Sequence, residues 1–153
     1  MNHVLGGSNF GSRLTTEVRE KRGLTYGIST FLGTRDLGAL FAGSVASQND
    51  RIAEAIKVVK DVWKDMADNG ITQDELENAV TYLTGAYPLR FDGNAPIAGI
   101  LVGMQMTGLT PDYIGTRNDK IRAVALEDVK RVAGRLLKPE ELSFVVVGKP
   151  VGL

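Results

Sequence analysis

The feature that most constrains this chain is a long apolar stripe with a helical period. Apolar residues recur at intervals of three and four between Ile52 and Met66, which predicts one amphipathic helix. Asp50 precedes the stripe and is predicted to cap the helix N-terminus. Asn69 and Gly70 follow the stripe and predict its end, because glycine is the usual residue just beyond a helix.

Further helices are predicted after this one. Thr72 and Glu75 have the spacing of a capping box, which predicts a second helix joined to the first by a short turn. Residues 94–108 are almost uniformly apolar and predict a buried helix. Pro111 is expected to open a short helical turn. Residues 127–137 predict a last amphipathic helix.

Strands are predicted near both ends of the chain. Residues 12–22 predict a short amphipathic helix ended by Gly23, and residues 24–46 predict an antiparallel hairpin with a turn at residues 35–38. Residues 142–147 predict a central, doubly covered strand. This order favours an α+β fold, a mostly antiparallel sheet with helices packed on one face. We expect a single domain over residues 1–153, truncated at its N-terminus because the chain opens in what reads as mid-helix.

Composition excludes several classes of function. The 18 basic and 18 acidic residues balance, so no field would attract nucleic acid or anionic lipid. There is no cysteine, which excludes thiol catalysis, disulfides and thiolate metal sites. Neither a membrane span nor a signal peptide is predicted, and the compartment, cytoplasmic or periplasmic, stays open.

The remaining polar motifs give weak signals for a ligand site. Residues 6–13 come close to a phosphate-binding loop but lack the lysine after the second glycine. We expect these glycines to let two helices meet closely or to keep a loop thin beside a ligand. His3 is the only histidine, so no zinc peptidase motif with two histidines can form, and no base is available for a nucleophile. Acidic pairs such as Asp74 and Glu75 are interpreted as helix-start charges.

Arg19 and Tyr26 are the candidate functional residues. Arg19 is predicted in the last turns of a helix and Tyr26 at the start of a strand, on opposite sides of Gly23. A guanidinium stays charged at any working pH, and a phenol donates a hydrogen bond without ionising near neutrality. The pair therefore offers two hydrogen-bond donors without a metal or a nucleophile.

A longer motif surrounds this pair. Residues 5–7 read Leu-Gly-Gly, residues 12–14 read Ser-Arg-Leu, and residues 18–27 read Val-Arg-Glu-Lys-Arg-Gly-Leu-Thr-Tyr-Gly. The combination resembles the C-terminal homologous domain of the pitrilysin or insulysin-type zinc peptidases, which include mitochondrial processing peptidase-like proteins. The resemblance continues more loosely to the Val-Val-Val-Gly of residues 145–148.

The resemblance implies a metal-free, substrate-binding domain that is inactive alone. In that family one α+β domain carries zinc, and a second, related domain supplies an arginine and a tyrosine that reach the peptide substrate. Those positions match Arg19 and Tyr26, so this chain is expected to bind no cofactor, with zinc on a partner domain or subunit. The alternatives are a non-catalytic scaffold subunit of the same fold and, more distantly, a small-molecule module using the glycine loop. An exposed sheet edge or apolar patch is also expected, through which the chain could form a homodimer.

Overall fold

A β-hairpin and a set of helices form the fold in the computed structural model, which describes residues 1–7, 11–35 and 37–153. The elements in chain order are α1 (Asn2–Gly6), a π-helix (Thr15–Glu20), β1 (Ile28–Arg35), β2 (Gly38–Val45), α2 (Ile52–Asn69), α3 (Gln73–Gly85), α4 (Asn94–Met106), α5 (Tyr113–Arg122) and α6 (Leu126–Leu136), with 3-10 turns at Pro88–Arg90 and Pro139–Glu141. The predicted α+β class is confirmed.

The hairpin pairs β1 with β2 in antiparallel register from Ile28 opposite Val45 to Arg35 opposite Gly38. The predicted hairpin is therefore confirmed, although the predicted turn includes Asp36, which lies outside the described residues. Among the described residues the sheet has two strands. The predicted hairpin and the predicted strand at residues 142–147 together imply a sheet of three strands, and that expectation is wrong.

The core is centred on α2. Its apolar stripe is buried, and the ring of Trp63 stacks on Phe41 of β2 with the ring centroids 5.1 Å apart. Val129 and Ala133 of α6 are buried in the same cluster. A fully buried Val or Met side chain of this cluster contributes about 1.5–3 kcal/mol by leaving water. The predicted amphipathic helices are confirmed at both places.

The sequence predicted some of the helix ends correctly and one of them wrongly. Gly70 ends α2 with φ +74°. At the start of α3 the Thr72 hydroxyl accepts from the Glu75 N–H at 3.2 Å, and the Glu75 carboxylate accepts from the Thr72 N–H at 2.7 Å. This capping box is confirmed. The cap assigned to Asp50 is wrong, because the N-cap of α2 is Arg51 and no side chain caps it.

The predicted burial of α4 is wrong. Only Met104 of this helix is buried, whereas Val102 is 55% exposed and Met106 75% exposed. An apolar composition gives a segment the tendency to leave water, but it does not provide the neighbours that would cover it. The helix after Pro111 is also longer than predicted, since α5 runs for 10 residues.

The strand predicted at residues 142–147 is wrong as well. Residues 142–147 form neither a helix nor a strand, and Val145 and Val147 are 92% and 95% exposed. A strand needs a partner for its backbone hydrogen bonds, and among the described residues none pairs with this segment. The following residues are held beside α2 instead, since Asn49 accepts hydrogen bonds from the N–H groups of Lys149 and Val151 at 3.1 and 2.8 Å.

Candidate functional site

Arg19 lies near the end of the π-helix, as predicted for the end of a helix. The π-helical geometry shows in the hydrogen bond from the Lys21 N–H to the Thr16 oxygen at 3.0 Å, because these residues are five positions apart. Val18, the preceding residue, is fully buried, and Arg19 itself is half-buried. A π-turn is rare and often marks a functional site, since it shifts the following side chains around the helix axis.

Gly23 ends this helix in the left-handed conformation that the sequence predicts, with φ +61°. Its N–H donates to the Arg19 oxygen at 2.9 Å, and the Leu24 N–H donates to the Val18 oxygen at 2.9 Å. These bonds satisfy backbone oxygens at the helix end and turn the chain towards β1. The backbone of Arg19 is therefore fixed by the ending of its own helix.

Tyr26 lies in the link between the π-helix and β1, two residues before the strand rather than at its first residue. The preceding Thr25 is buried, whereas the Tyr26 side chain is 97% exposed. The Thr25 hydroxyl lies 2.6 Å from the Ala46 oxygen and accepts a hydrogen bond from the Gly27 N–H at 3.0 Å. Tyr26 is thus an exposed ring on a hydrogen-bonded backbone.

Two further bonds hold the same link against the chain that follows β2. The Ser47 hydroxyl donates to the Leu24 oxygen at 2.7 Å. The Arg51 guanidinium donates to the Gly23 oxygen at 3.2 Å. The link that joins Arg19 to Tyr26 is therefore anchored at three of its residues, as a binding constellation requires.

The sequence analysis missed Arg13, which ties the start of this helical segment to two other helices. Its Nε and Nη2 atoms each lie 2.7 Å from an oxygen of Glu75 on α3, and its Nη1 atom lies 2.9 Å from Asp65 on α2. The hydrogen bonds with Glu75 raise the pKa of Arg13. No local pattern could have found this contact, because the partners are 52 and 62 residues away in the sequence.

Glu75 serves both Arg13 and the helix cap. Burial alone would raise the pKa of the Glu75 carboxyl, but the hydrogen bonds from Arg13 and from the Thr72 N–H outweigh burial and lower the pKa. The interpretation of Glu75 as a structural carboxylate is confirmed. Its bidentate geometry with Arg13 is the strong form of this ion pair.

Gly6 at the end of α1 allows close packing, but its nearest neighbour is in strand β1 and not in the expected second helix. A Cβ atom on Gly6 would lie 2.6 Å from the Thr30 hydroxyl oxygen and 2.9 Å from Leu14 Cδ1. Ser8, Asn9 and Phe10 of the glycine-rich stretch lie outside the described residues. His3 stacks on Tyr82 with ring centroids 4.9 Å apart, and burial together with the N-terminal charge lowers its pKa.

Two of the cavities among the described residues are lined by side chains other than Arg19 and Tyr26. In the part of the chain that the structure describes, no group of three His, Cys, Asp or Glu side chains is placed to hold a metal ion. None of the described helices combines the length and apolarity needed to cross a membrane. Tyr26 is exposed at the surface of this chain, and Arg19 is half-buried.

Comparisons with known proteins agree with the motif. The profile of the family described as "Peptidase M16 inactive domain" matches residues 1–83. The crystal structure of a peptidase M16 inactive domain from Pseudomonas fluorescens is similar with a TM-score of 0.80 and 32% identity, over 92% of this chain and 33% of that one.

Two curated relatives carry different descriptions. A non-peptidase homolog from Helicobacter pylori is 25% identical over 147 residues, which cover 96% of this chain and 34% of the relative. An uncharacterized zinc protease from Streptomyces coelicolor is 29% identical over 138 residues, which cover 90% of this chain and 30% of the relative. The chain thus spans about a third of the length of these relatives. The chain belongs to the peptidase M16 inactive-domain family, and the resemblance read from its motifs is confirmed.

Proposed function

We propose that this chain is the metal-free, substrate-binding part of a zinc peptidase, in which Arg19 and Tyr26 complete an active site on another domain or subunit. The chain binds the peptide and contributes hydrogen-bond donors, and it cleaves nothing alone. The whole of residues 1–153 acts as one domain of C-terminal type in this proposal.

The observation that carries the proposal is the exposure of Tyr26 on an anchored link. Its side chain is 97% exposed, while Leu24 and Thr25 immediately before it are buried. Packing within this chain therefore does not explain the aromatic ring, and the hydrogen bonds of Thr25 hold its backbone in place. An exposed aromatic residue on a rigid backbone is suited to contact a partner or a substrate.

The two side chains have complementary tasks. The Tyr26 hydroxyl donates to the scissile carbonyl oxygen as that oxygen gains negative charge, which stabilises the transition state. The Arg19 guanidinium donates to a neighbouring carbonyl of the peptide and holds it in register. A zinc ion held by the partner domain or subunit would supply the activated water and the polarisation of the same carbonyl.

A scaffold role is the second candidate. It is favoured by the Helicobacter pylori relative, which is described as a non-peptidase homolog. In a scaffold the surface around Tyr26 would serve assembly, and neither donor would affect hydrolysis. The two functions are separated by measuring turnover and assembly independently.

The test combines this chain with its zinc-bearing domain or subunit and follows cleavage of a peptide. Tyr26→Phe removes only the hydroxyl, and Arg19→Ala removes the guanidinium. Tyr26→Phe is expected to lower kcat/KM by roughly 100-fold, since the loss of one oxyanion donor costs about 3 kcal/mol. Arg19→Ala is expected to lower kcat/KM by about tenfold or more, since it removes a charge-assisted hydrogen bond that holds the peptide. The Tyr26→Phe loss should fall on kcat, because the bond strengthens only in the transition state.

Tyr82→Phe is the matched control, because Tyr82 is also an exposed tyrosine but lies on α3. It should cleave like the unmodified chain. If Tyr26→Phe and Arg19→Ala keep full turnover while assembling normally, the catalytic contribution is wrong. Loss of assembly in either variant, with hydrolysis unaffected per assembled complex, would favour the scaffold.

A further inference from the structure

A second candidate site lies in the later half of the chain, between the end of α3, α4 and α5. It is a cavity of about 650 Å³. The residues that matter for its chemistry are two arginines, two tyrosines and two apolar side chains: Arg90, Arg117, Tyr87, Tyr113, Ile100 and Met104. None of the residues that line it is acidic.

Arg117 is held in place beside this cavity. Its guanidinium lies over the Tyr87 ring, 4.1 Å from the centroid, and Nη1 donates to the Leu83 oxygen at 3.0 Å. The same atom lies 3.0 Å from the Asn118 side-chain oxygen, and Asn118 in turn donates to the Thr84 oxygen at 3.1 Å. These bonds cap the end of α3 and use one nitrogen, so Nε and Nη2 keep donors for a ligand.

Arg90 provides a second positive charge. It lies in the 3-10 turn after α3, is exposed, and lines the same cavity as Arg117. The ion pairs among the described residues involve neither arginine. The cavity therefore carries two positive charges that no described carboxylate balances.

The floor of the cavity is apolar and open. Ile100 and Met104 lie four residues apart on α4, which places them on one face of the helix. Gly99 and Gly103 lie beside them with the same spacing, and a Cβ atom on either glycine would meet nothing within 4 Å. The glycines thus leave a trough beside the apolar side chains, in the same lining that includes both arginines.

We propose that this cavity binds a peptide segment in which a carboxylate stands next to an apolar side chain. The arginines take the carboxylate, and the Ile100 and Met104 face takes the apolar group. That the ligand is a peptide rests on the proposed function, in which this chain binds peptide substrates. The carboxylate has two possible sources, the C-terminus of the peptide and an acidic side chain.

The test titrates the 15N-labelled chain with short acetylated peptides and follows amide shifts in α4 and α5. One pair is acetyl-Gly-Leu-Phe with a free C-terminus and the same peptide as a C-terminal amide. The other pair is acetyl-Gly-Glu-Leu-Phe amide and its glutamine counterpart. Binding by the free acid alone assigns the C-terminus, and binding by the glutamate peptide alone assigns the side chain.

Arg90→Ala is expected to weaken binding about tenfold or more, since a charge-assisted hydrogen bond contributes about 1.5–3 kcal/mol. Gly103→Leu fills the trough and should abolish the shifts. The matched controls are Arg122→Ala and Gly115→Leu, both on α5 and outside the cavity lining. Both controls should bind normally.

The proposal is overturned if neither carboxylate peptide shifts these amides, or if their amide counterparts bind as well. It is also overturned if 3-phenylpropionate binds while the peptides do not, because the ligand is then no peptide. Failure of Tyr26→Phe to alter turnover would remove the proposed function and leave a positive titration standing. The two results are therefore distinguishable.

Discussion

The two helices α2 and α4 show that burial follows pattern rather than apolar content. α2 carries seven charged residues and buries six others, including Trp63 and Met66. α4 has no charged residue and buries only Met104. The charged face of α2 specifies which side meets the core, whereas α4 has no such face and only partial cover. Apolar content alone would predict that α4 is more buried than α2, which is the reverse of what the structure shows.

The two candidate sites of the chain lie in regions that differ in the same way in how well they are packed. The earlier half, which matches the family profile over residues 1–83, contributes most of the core and holds the link that carries Arg19 and Tyr26. The later half contains α4 and the cavity with two arginines that no described carboxylate balances. A well-packed region thus presents the proposed donors, and a loosely covered region presents the second candidate site.

The largest expected effect compares the same truncation in α2 and α4. Met66→Ala should lower the free energy of unfolding by about 2–5 kcal/mol, because Met66 is fully buried and the change leaves a cavity. Met106→Ala should change it by less than about 0.5 kcal/mol, because Met106 is 75% exposed. Urea unfolding measures both. Equal losses would show that α4 is covered after all.

A smaller effect on stability is expected from substituting one glycine in each region, Gly70 at the end of α2 and Gly103 in α4. Gly70→Ala should cost about 1–3 kcal/mol, because Gly70 has φ +74° and ψ −145°, a conformation almost reserved for glycine. The added Cβ atom would also lie 3.2 Å from Lys130 Cγ.

The matched change is Gly103→Ala in α4, which should stabilise the chain by about 0.5–1 kcal/mol through higher helix propensity. Thermal unfolding of the two variants should therefore shift in opposite directions. A destabilised Gly103→Ala would mean that the trough is filled by a neighbour within this chain.

The smallest effect concerns how the stability of the earlier half of the chain depends on pH. The pKa of Glu75 is lower in the folded chain than its ordinary value of 4.5. The unfolded chain therefore takes up this proton first on acidification, so the stabilisation is complete above the unfolded pKa and is lost as pH falls through the folded pKa.

Glu75→Gln should therefore show a shallower loss of stability than the unmodified chain as pH falls below the ordinary carboxyl pKa of 4.5. Glu77→Gln is the control, since Glu77 bonds only the exposed side chain of Gln73 at 2.8 Å among the contacts described. Urea midpoints at a series of pH values measure the slopes. Identical slopes for Glu75→Gln and the unmodified chain would contradict the lowered pKa.

Local signals in the sequence predicted local structure well. The capping box of Thr72 and Glu75, the left-handed Gly23 and the hairpin were all readable because each depends on residues close together in the chain. The Asp50 cap failed for a local reason as well, since the helix begins after Arg51 and leaves Asp50 in the preceding turn. Competing turn geometry decides such a boundary, and residue type alone does not.

Predictions that needed a neighbour from elsewhere in the chain were less reliable. The apolar run at residues 142–147 has strand character, but no described strand pairs with it. Arg13 was passed over because its bonds to Glu75 and Asp65 join distant positions. Arg19 and Tyr26 were found only because they lie seven residues apart within a sharp family motif.

By itself, the sequence determined the helical stripe of α2, the helix ends at Gly23 and Gly70, the hairpin and the family motif around Arg19 and Tyr26. The tertiary structure alone decided that α4 stays largely exposed, that Arg13 ties three helical segments together, and that Arg90 and Arg117 share a cavity. The physical reason is the range of the interactions. Backbone conformation and periodicity depend on residues a few positions apart, whereas burial and charge pairing depend on which distant surfaces meet.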